Sequence, residues 1–537
     1  MEQSESVPNE RFDAIVVGAG FAGLYMLHKL REAGFSARIL EAAPGVGGTW
    51  YWNRYPGARC DIESMQYSYQ FDDDLQQEWE WSERYATQPE ILAYIEHVVE
   101  RFDLERDIDF EVRVEAARFD EATDDWVVVT DTGRMIRAQF FIMGVGNLST
   151  AIKPKFQGRE EFRGPIYHTG QWPTEGVDFT GKRVGFIGTG SSGVQSIPLI
   201  AAEADHLYVY QRTPNYVVPA HNRKLEPEEV AQIKVDYRGF RARANAQSTA
   251  FLHPFDTRPA LSLSVEERNK RYEEQWEIGG LPFIGAFGDL MTNKAANKTA
   301  AEFWRGKIRE VVKDPKIVDL LTPDHVFNCK RLGVGTNYYE TYNRDNVTLV
   351  DIRKTGIERL TPIGLRAGGE DYALDAIVCA TGYDAMTGSV TRIDITGRGG
   401  VSIKDKWREG PKTFLGLTVS GFPNMFNIYG PGSPSVLATA TTGIEHHVEW
   451  ITACLSWMRE NGKTRIDATP EAEADWGEQV SEAGRASLRT ACDSWYVGAN
   501  VPGKARVFMP YVGGFPKYVE ICERVVDGGY EGFATTS

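Results

Sequence analysis

The chain has 537 residues, of which 42% are hydrophobic, 12% aromatic and 25% charged, the balance of a soluble globular enzyme with two or three domains and a large core. Its formal net charge of -16 argues against nucleic acid or an anionic membrane as the main partner, while leaving room for a local basic pocket that holds a phosphate. The six cysteines, Cys60, Cys329, Cys379, Cys454, Cys492 and Cys522, form no CxxC pair and no cluster with histidine at metal-ligand spacing, so neither a metal site nor a disulfide-exchanging flavoenzyme is expected.

Residues Met1 to Glu10 are polar and acidic with no apolar core of a signal segment, and the longest apolar runs, such as Phe140-Phe141-Ile142-Met143, are far too short to span a bilayer. A cytoplasmic protein is the expectation. The first strand, Ala14-Ile15-Val16-Val17, runs into Gly18-Ala19-Gly20-Phe21-Ala22-Gly23, and the next, Arg38-Ile39-Leu40, closes on Glu41. That is a dinucleotide fingerprint in its full context. Gly18 allows the tight turn, Gly20 lets the backbone approach a pyrophosphate at the helix N-terminus, and Gly23 lets helix and strand pack closely. Glu41 can accept hydrogen bonds from ribose hydroxyls.

An aromatic, glycine-rich loop follows from Gly47 to Asp61, then a helical stretch around Gln88 to Ile95. Phe110 to Val114 and Trp126 to Val129 read as strands, with a turn at Asp131-Thr132-Gly133. A second fingerprint, Gly188-Thr189-Gly190-Ser191-Ser192-Gly193, succeeds the strand Val184-Gly185-Phe186-Ile187. Its next strand, Leu207 to Tyr210, ends in Gln211-Arg212-Thr213 with no acidic residue. A carboxylate at this point suits a free ribose hydroxyl and an arginine fork suits a 2′-phosphate, so the first unit reads as an FAD site and the second as an NADPH site. Helical periodicity dominates residues 221–325, as in Ala300 to Arg309. The strand Ala376 to Cys379 then runs into the small residues of Ala380-Thr381-Gly382. The expected architecture is α/β: two Rossmann-like dinucleotide-binding domains with a helical insertion. The FAD domain takes residues 11–150 and 386–537, the NADPH domain 151–220 and 326–385, and the insertion 221–325.

Between the two units lies Phe162-Arg163-Gly164-Pro165-Ile166-Tyr167-His168-Thr169-Gly170-Gln171-Trp172-Pro173. It fits the pattern FxGxxxHxxxWP at every specified position. A second pattern, [A/G]GxWxxxx[F/Y]P[G/M]xxxD, is complete in Gly47, Gly48, Trp50, Tyr55, Pro56, Gly57 and Asp61. On these motifs, and over nearly its whole length, the chain resembles the type I Baeyer–Villiger monooxygenases. The resemblance implies that NADPH reduces FAD, that O2 adds to the flavin, and that the peroxyflavin inserts one oxygen beside a ketone carbonyl through a tetrahedral adduct, giving an ester or lactone.

The same resemblance implies roles for single residues. Arg331, in Cys329-Lys330-Arg331, would be the fixed cation that stabilises peroxide and adduct, with a fork that stays protonated at any working pH. Asp61 would pair with it. Lys330 and Arg212 would read the 2′-phosphate, beside Gln211, and the Trp495 indole would bind the cofactor. Thr49, Trp50, Tyr51, Trp52, Arg59, Cys60, Tyr67, Val114 and Ala440 complete the expected cofactor-binding set. Each has a blander rival: taken alone, Arg331 and Asp61 would more often be a surface pair. His168 is better read as an orienting hydrogen-bond partner than as a general base, and His446 and His447 as packing residues on a helix. The segment Ala438-Thr439-Ala440-Thr441-Thr442, read as a loop, carries smaller side chains than a closely similar family member has there, which implies room for a larger ketone. The competing readings are an N- or S-oxidising flavin monooxygenase and, in another class, a non-catalytic flavin/NADPH redox sensor. The expected partners are a small ketone and O2, in a monomer or weak homo-oligomer.

Overall fold

In the first sheet, strand β1 (Glu10–Val17) buries Ala14, Ile15, Val16 and Val17 in succession, because a parallel strand covered on both faces has no polar side. The computed structural model describes residues 10–537, so residues 1–9 of the polar N-terminus lie outside the described residues. Helix α1 (Phe21–Glu32) carries the chain from β1 to β2 (Ala37–Leu40), which pairs with β1 in parallel. The strands β3 (Ile108–Asp109), β4 (Val114–Asp120), β5 (Asp125–Thr130) and β6 (Met135–Met143) follow. The sheet order is Asp394–Thr396, β4, β5, β6, β1, β2, β3, with Met425–Asn427 laid parallel to the end of β6. Two of its strands therefore come from the C-terminal third of the chain.

The second sheet is parallel throughout. Strand β7 (Ile166–His168) lies at one edge, and β8 (Arg183–Ile187) and β9 (His206–Gln211) flank the helix Ser191–Glu203 in sequence. Its order is Val347–Asp351, β9, β8, Ala376–Cys379, β7. Both sheets thus carry a strand-turn-helix fingerprint, and the crevice beyond the strand ends is where such folds place their ligands.

Residues 221–325 form the helices Pro227–Val235, Tyr237–Asn245, Val265–Ile278, Lys294–Val311 and Pro315–Leu321, packed on a group of aromatics that includes Tyr272, Phe283 and Trp304. Asn297, on the long fourth helix, donates to the Leu290 and Phe327 carbonyls and accepts from the Phe327 amide. That side chain fixes where the chain leaves the helices and heads toward Arg331. No helix among the described residues is long and apolar enough to cross a membrane.

Two local readings change. Phe110 to Arg113 is not a strand: Glu111 sits at φ 57°, which turns the chain, and pairing in β4 starts only at Val114. The segment Gly47 to Asp61 contains one helical turn, Thr49–Trp52, and Ala440 opens the helix Ala440–Glu460 instead of sitting in a loop. Cys329 and Cys492 are joined by a disulfide, while Cys60, Cys379, Cys454 and Cys522 are buried thiols.

Candidate active site between the nucleotide units

The two fingerprints are built alike. A Cβ on Gly23 would lie 1.8 Å from the Gly18 carbonyl oxygen, and one on Gly193 would lie 2.4 Å from that of Gly188, so the third glycine of each lets the helix sit on its own turn. Gly18 (φ +98°) and Gly188 (φ +109°) take backbone conformations closed to other residues at little cost. The middle glycines differ. A Cβ on Gly190 would meet nothing within 4 Å, and one on Gly20 only the backbone of Gly48, at 3.5 Å or more. Neither helix has a side-chain cap or an acidic residue in its first turn, so amide N–H groups and the helix dipole face that open space. The space and the free donors fit a pyrophosphate at each unit.

Glu41 is buried at the end of β2, where its two carboxylate oxygens accept from the Ala19 amide at 2.6 Å and the Ala43 amide at 2.7 Å. Burial pushes its carboxyl above the ordinary range, and the two amides oppose that shift. Each oxygen keeps a lone pair for a ribose hydroxyl. Val114 is buried at the start of β4, close to where the Val112 amide bonds the Glu41 carbonyl at 2.9 Å. Gln211 is buried and donates to the Leu320 carbonyl, whereas Arg212 after it is exposed and has no carboxylate partner among the described residues. The Lys330 ammonium is pushed below its ordinary value by burial and then by the charge of Arg212, with Asp493 and Asp324 acting the other way. Among the described residues neither cation has a carboxylate in an ion pair, an arrangement whose charge would suit a dianion.

The segment from Trp50 to Asp61 crosses from one unit to the other. Trp50 Nε1 donates to Tyr67 Oη at 3.2 Å, Tyr51 lies under the Arg54 guanidinium, and the Trp52 carbonyl accepts from the Trp172 amide. Asn53 Oδ1 accepts from Tyr383 Oη. Tyr55 Oη donates to Gln195 Oε1 at 2.9 Å, and Gln195 Nε2 donates to the Arg59 carbonyl, so a side chain of the second fingerprint helix holds this segment. Arg59 is turned to Glu83 at 3.0 Å. Thr49 and Ala440 are first residues of their helices, and Cys60 is a buried thiol that accepts from the Ile62 amide.

Asp61 ends this crossing and meets Arg331 from the far side of the chain. Arg331 Nε and Nη2 donate to Asp61 Oδ2 at 3.1 and 2.7 Å, and Nη1 donates to the Val436 carbonyl at 2.9 Å. About a quarter of each side chain remains exposed, 27% for Arg331 and 25% for Asp61, so the pair lines an opening. Burial works against the Arg331 charge, but Asp61, with smaller contributions from Tyr496 and Cys60, leaves the guanidinium above its ordinary value. Val436 presents its carbonyl from φ +63°, where a β-branched residue costs about 1–3 kcal/mol. Asn215 Nδ2 holds the Arg331 carbonyl at 2.8 Å. Trp495 is part-buried and packs with Val436 against Ala385, Met386 and Met509.

The linking motif holds the two units together. His168 Nδ1 accepts from the Gly170 amide at 3.0 Å, which leaves Nε2 as the donor toward the Ile152 carbonyl at 3.2 Å, with Thr381 Oγ1 at 3.1 Å. Burial lowers the ring's pKa, with the Ile152 carbonyl opposing. The His168 ring thus bridges residues 152 and 381.

The Pyridine nucleotide-disulphide oxidoreductase family profile matches residues 15–246. A Baeyer–Villiger monooxygenase of Pseudooceanicola batsensis is 43% identical over 97% of this chain and 95% of its own length. The chain belongs to the Baeyer–Villiger monooxygenase family. A solved structure described as oxidized steroid monooxygenase bound to NADP shares 51% identity and a TM-score of 0.94, covering 98% of this chain and 99% of that one. The phenazine N-monooxygenase PhzNO1 of Lysobacter antibioticus is 41% identical over 97% of this chain and 96% of its own length.

For a Baeyer–Villiger monooxygenase, the residues that sequence reasoning missed are the supports. Asn215 and the Val436 carbonyl hold Arg331, Asn297 holds Phe327 four residues before it, and Gln195 holds the Asp61 segment. Side-chain amides of this kind carry no spacing signal. Only the positive φ of Val436 marks its position as unusual, and that is invisible before the fold is known.

Proposed function

We propose that this flavin-dependent Baeyer–Villiger monooxygenase binds FAD at the Gly18–Gly23 unit and NADPH at the Gly188–Gly193 unit, and inserts one oxygen of O2 beside a ketone carbonyl. Bound FAD supplies the electron transfer from NADPH and the activation of O2. The observation that carries the reading is the Arg331–Asp61 pair at the opening between the units. Arg331 has five N–H groups and uses three on Asp61 and Val436, so two remain to face an anionic oxygen. Asp61 and Val436 hold the fork before the anion forms, which is what makes such donors effective in a closed site.

Arg212 and Lys330 take the 2′-phosphate, and Trp495 closes the cofactor site beside Val436. Glu41 takes the ribose of FAD. The small residues Ala438, Thr439 and Ala440 leave room beside the opening for a ketone larger than a simple ring. NADPH as the electron donor suits a cytoplasmic enzyme. Oxygenation of a ring nitrogen is the second reading, favoured by the likeness to a phenazine N-monooxygenase. The test is a panel of ketones from small cyclic to steroid-sized, and of N-heteroaromatics, with NADPH and air. Ester or lactone from the ketones supports the proposal, and N-oxide alone would replace it with the second reading.

A further inference from the structure

Cys329 and Cys492 are 163 residues apart in sequence, yet their Cα atoms stand 6.0 Å apart and their sulfurs are bonded. Cys329 is fully buried and precedes Lys330 and Arg331 directly. Cys492 is part-exposed and lies three residues before Trp495, in a surface cleft of about 640 Å³ that Ser481, Arg485, Asp493, Arg506 and Phe508 also line. The disulfide therefore joins the segment that offers the two cations to the segment that offers the indole.

Little else joins them. Among the described residues, the one hydrogen bond between residues 326–332 and 488–497 runs from Arg489 Nη1 to the Asn328 carbonyl at 3.4 Å. No ion pair crosses, although Asp493 lies near enough to Lys330 for its charge to be felt there. Asn328 Nδ2, Tyr496 Oη and Ser494 Oγ are buried nearby without partners, so polar contacts do not lock this junction in place of the covalent bond. Packing of the buried Cys329 and Tyr496 side chains aside, the disulfide is thus the strongest single tie between the Lys330 and Trp495 segments.

We propose that Cys329–Cys492 is a reversible redox site that fixes the spacing of the Lys330–Arg331 and Trp495 segments, and that small dithiols open it from the cleft side. A dithiol's thiolate attacks Cys492 Sγ, which is the sulfur within reach. The S–S bond breaks and its electron pair leaves on Cys329 Sγ, beside the positive charges of Lys330 and Arg331 that favour the anion. The reagent's second thiolate then displaces Cys492, so the reagent departs as its own disulfide and the two cysteines take up two protons. Hydrogen peroxide runs the site the other way. The Cys492 thiolate takes one oxygen to become a sulfenic acid and water forms; Cys329 displaces that oxygen as a second water and the bond is restored.

The inference rests on the reading of Lys330 and Trp495 as NADPH contacts, and the experiment separates the two. FAD-loaded enzyme is treated with dithiothreitol or left untreated, denatured, alkylated and counted by mass spectrometry, while the KM for NADPH is measured on matched samples. Untreated protein should show four alkylated cysteines and reduced protein six. Reduction should raise the KM for NADPH about tenfold, the equivalent of about 1.4 kcal/mol of lost preorganisation, and hydrogen peroxide should reverse it. Cys492→Ser should carry the raised KM permanently and ignore dithiothreitol. Six alkylated cysteines both in untreated and in peroxide-treated protein would overturn the proposal, as would opening of the bond with an unchanged KM. Lys330→Ala is measured alongside, and an unchanged KM there would fault the cofactor reading instead of the disulfide.

Discussion

Arg331→Ala should abolish ester formation while leaving FAD bound and still reducible by NADPH. The magnitude follows from the hydrogen bonds: five guanidinium N–H groups less the three held by Asp61 and Val436 leave two for an anionic oxygen. One preorganised donor of this kind contributes about 3 kcal/mol, or about a hundredfold in rate, and two would bring the loss toward about ten-thousandfold. Arg331→Lys should recover little of this. Its ammonium has three donors, and once Asp61 and Val436 claim two, a single donor on a flexible stem remains. Loss of stability should be small by comparison, because the exposed quarter of Asp61 lets water replace the missing partner. Ester yield, NADPH oxidation, hydrogen peroxide and flavin absorbance are measured on the same preparations. Near-normal ester yield from Arg331→Ala, with FAD in place, would refute the assignment of the cation.

Arg212→Ala should raise the KM for NADPH by about 10- to 100-fold, the size of one charge-assisted contact, and change that for NADH little; equal losses with both would remove Arg212 from the phosphate site. Gly190→Ala should keep the wild-type Tm, because its Cβ meets nothing within 4 Å, and still weaken NADPH binding in titration by filling the space of the pyrophosphate. Gly188→Ala should lower Tm as well, since its Cβ would lie 2.4 Å from the Ala380 carbonyl oxygen at φ +109°. Burial pushes the Glu445 carboxyl up to about 8 from an ordinary 4.5, with the Gln70 and Phe71 amides opposing. The fold therefore favours its protonated form, and the stability this gives is whole below pH 4.5 and lost as pH rises through about 8. Glu445→Gln should flatten the fall in Tm across that window; an unchanged pH profile would show that Glu445 ionises as freely folded as unfolded.

What was legible in the sequence was local. The glycine turns with Glu41 at one strand end and Arg212 at the other announced themselves, since each lies within a single strand-turn-helix unit. The Arg331–Asp61 pair joins residues 270 apart, and no spacing rule reaches that far; the family motifs supplied it and the geometry then gave its partners. The Cys329–Cys492 bond had neither a local signal nor a motif. Phe110 to Val114 misled for a physical reason: Val112 and Val114 are both buried, as in a half-covered strand, but Glu111 in the left-handed region bends the chain so that Val112 reaches the Glu41 carbonyl. Burial sets alternation, and a turn can produce the same pattern as a strand.

The central claim is that the two nucleotide units cooperate around Arg331 to place one atom of O2 beside a ketone carbonyl. Purified enzyme holding FAD is given NADPH, a ketone it turns over and ¹⁸O2, and the product is analysed by mass spectrometry. The account predicts an ester or lactone carrying one ¹⁸O in the newly formed C–O–C linkage, one NADPH consumed for each, and no such product from Arg331→Ala. Consumption of NADPH with only hydrogen peroxide formed across the whole panel, or label at nitrogen or sulfur and never beside a carbonyl, would contradict it.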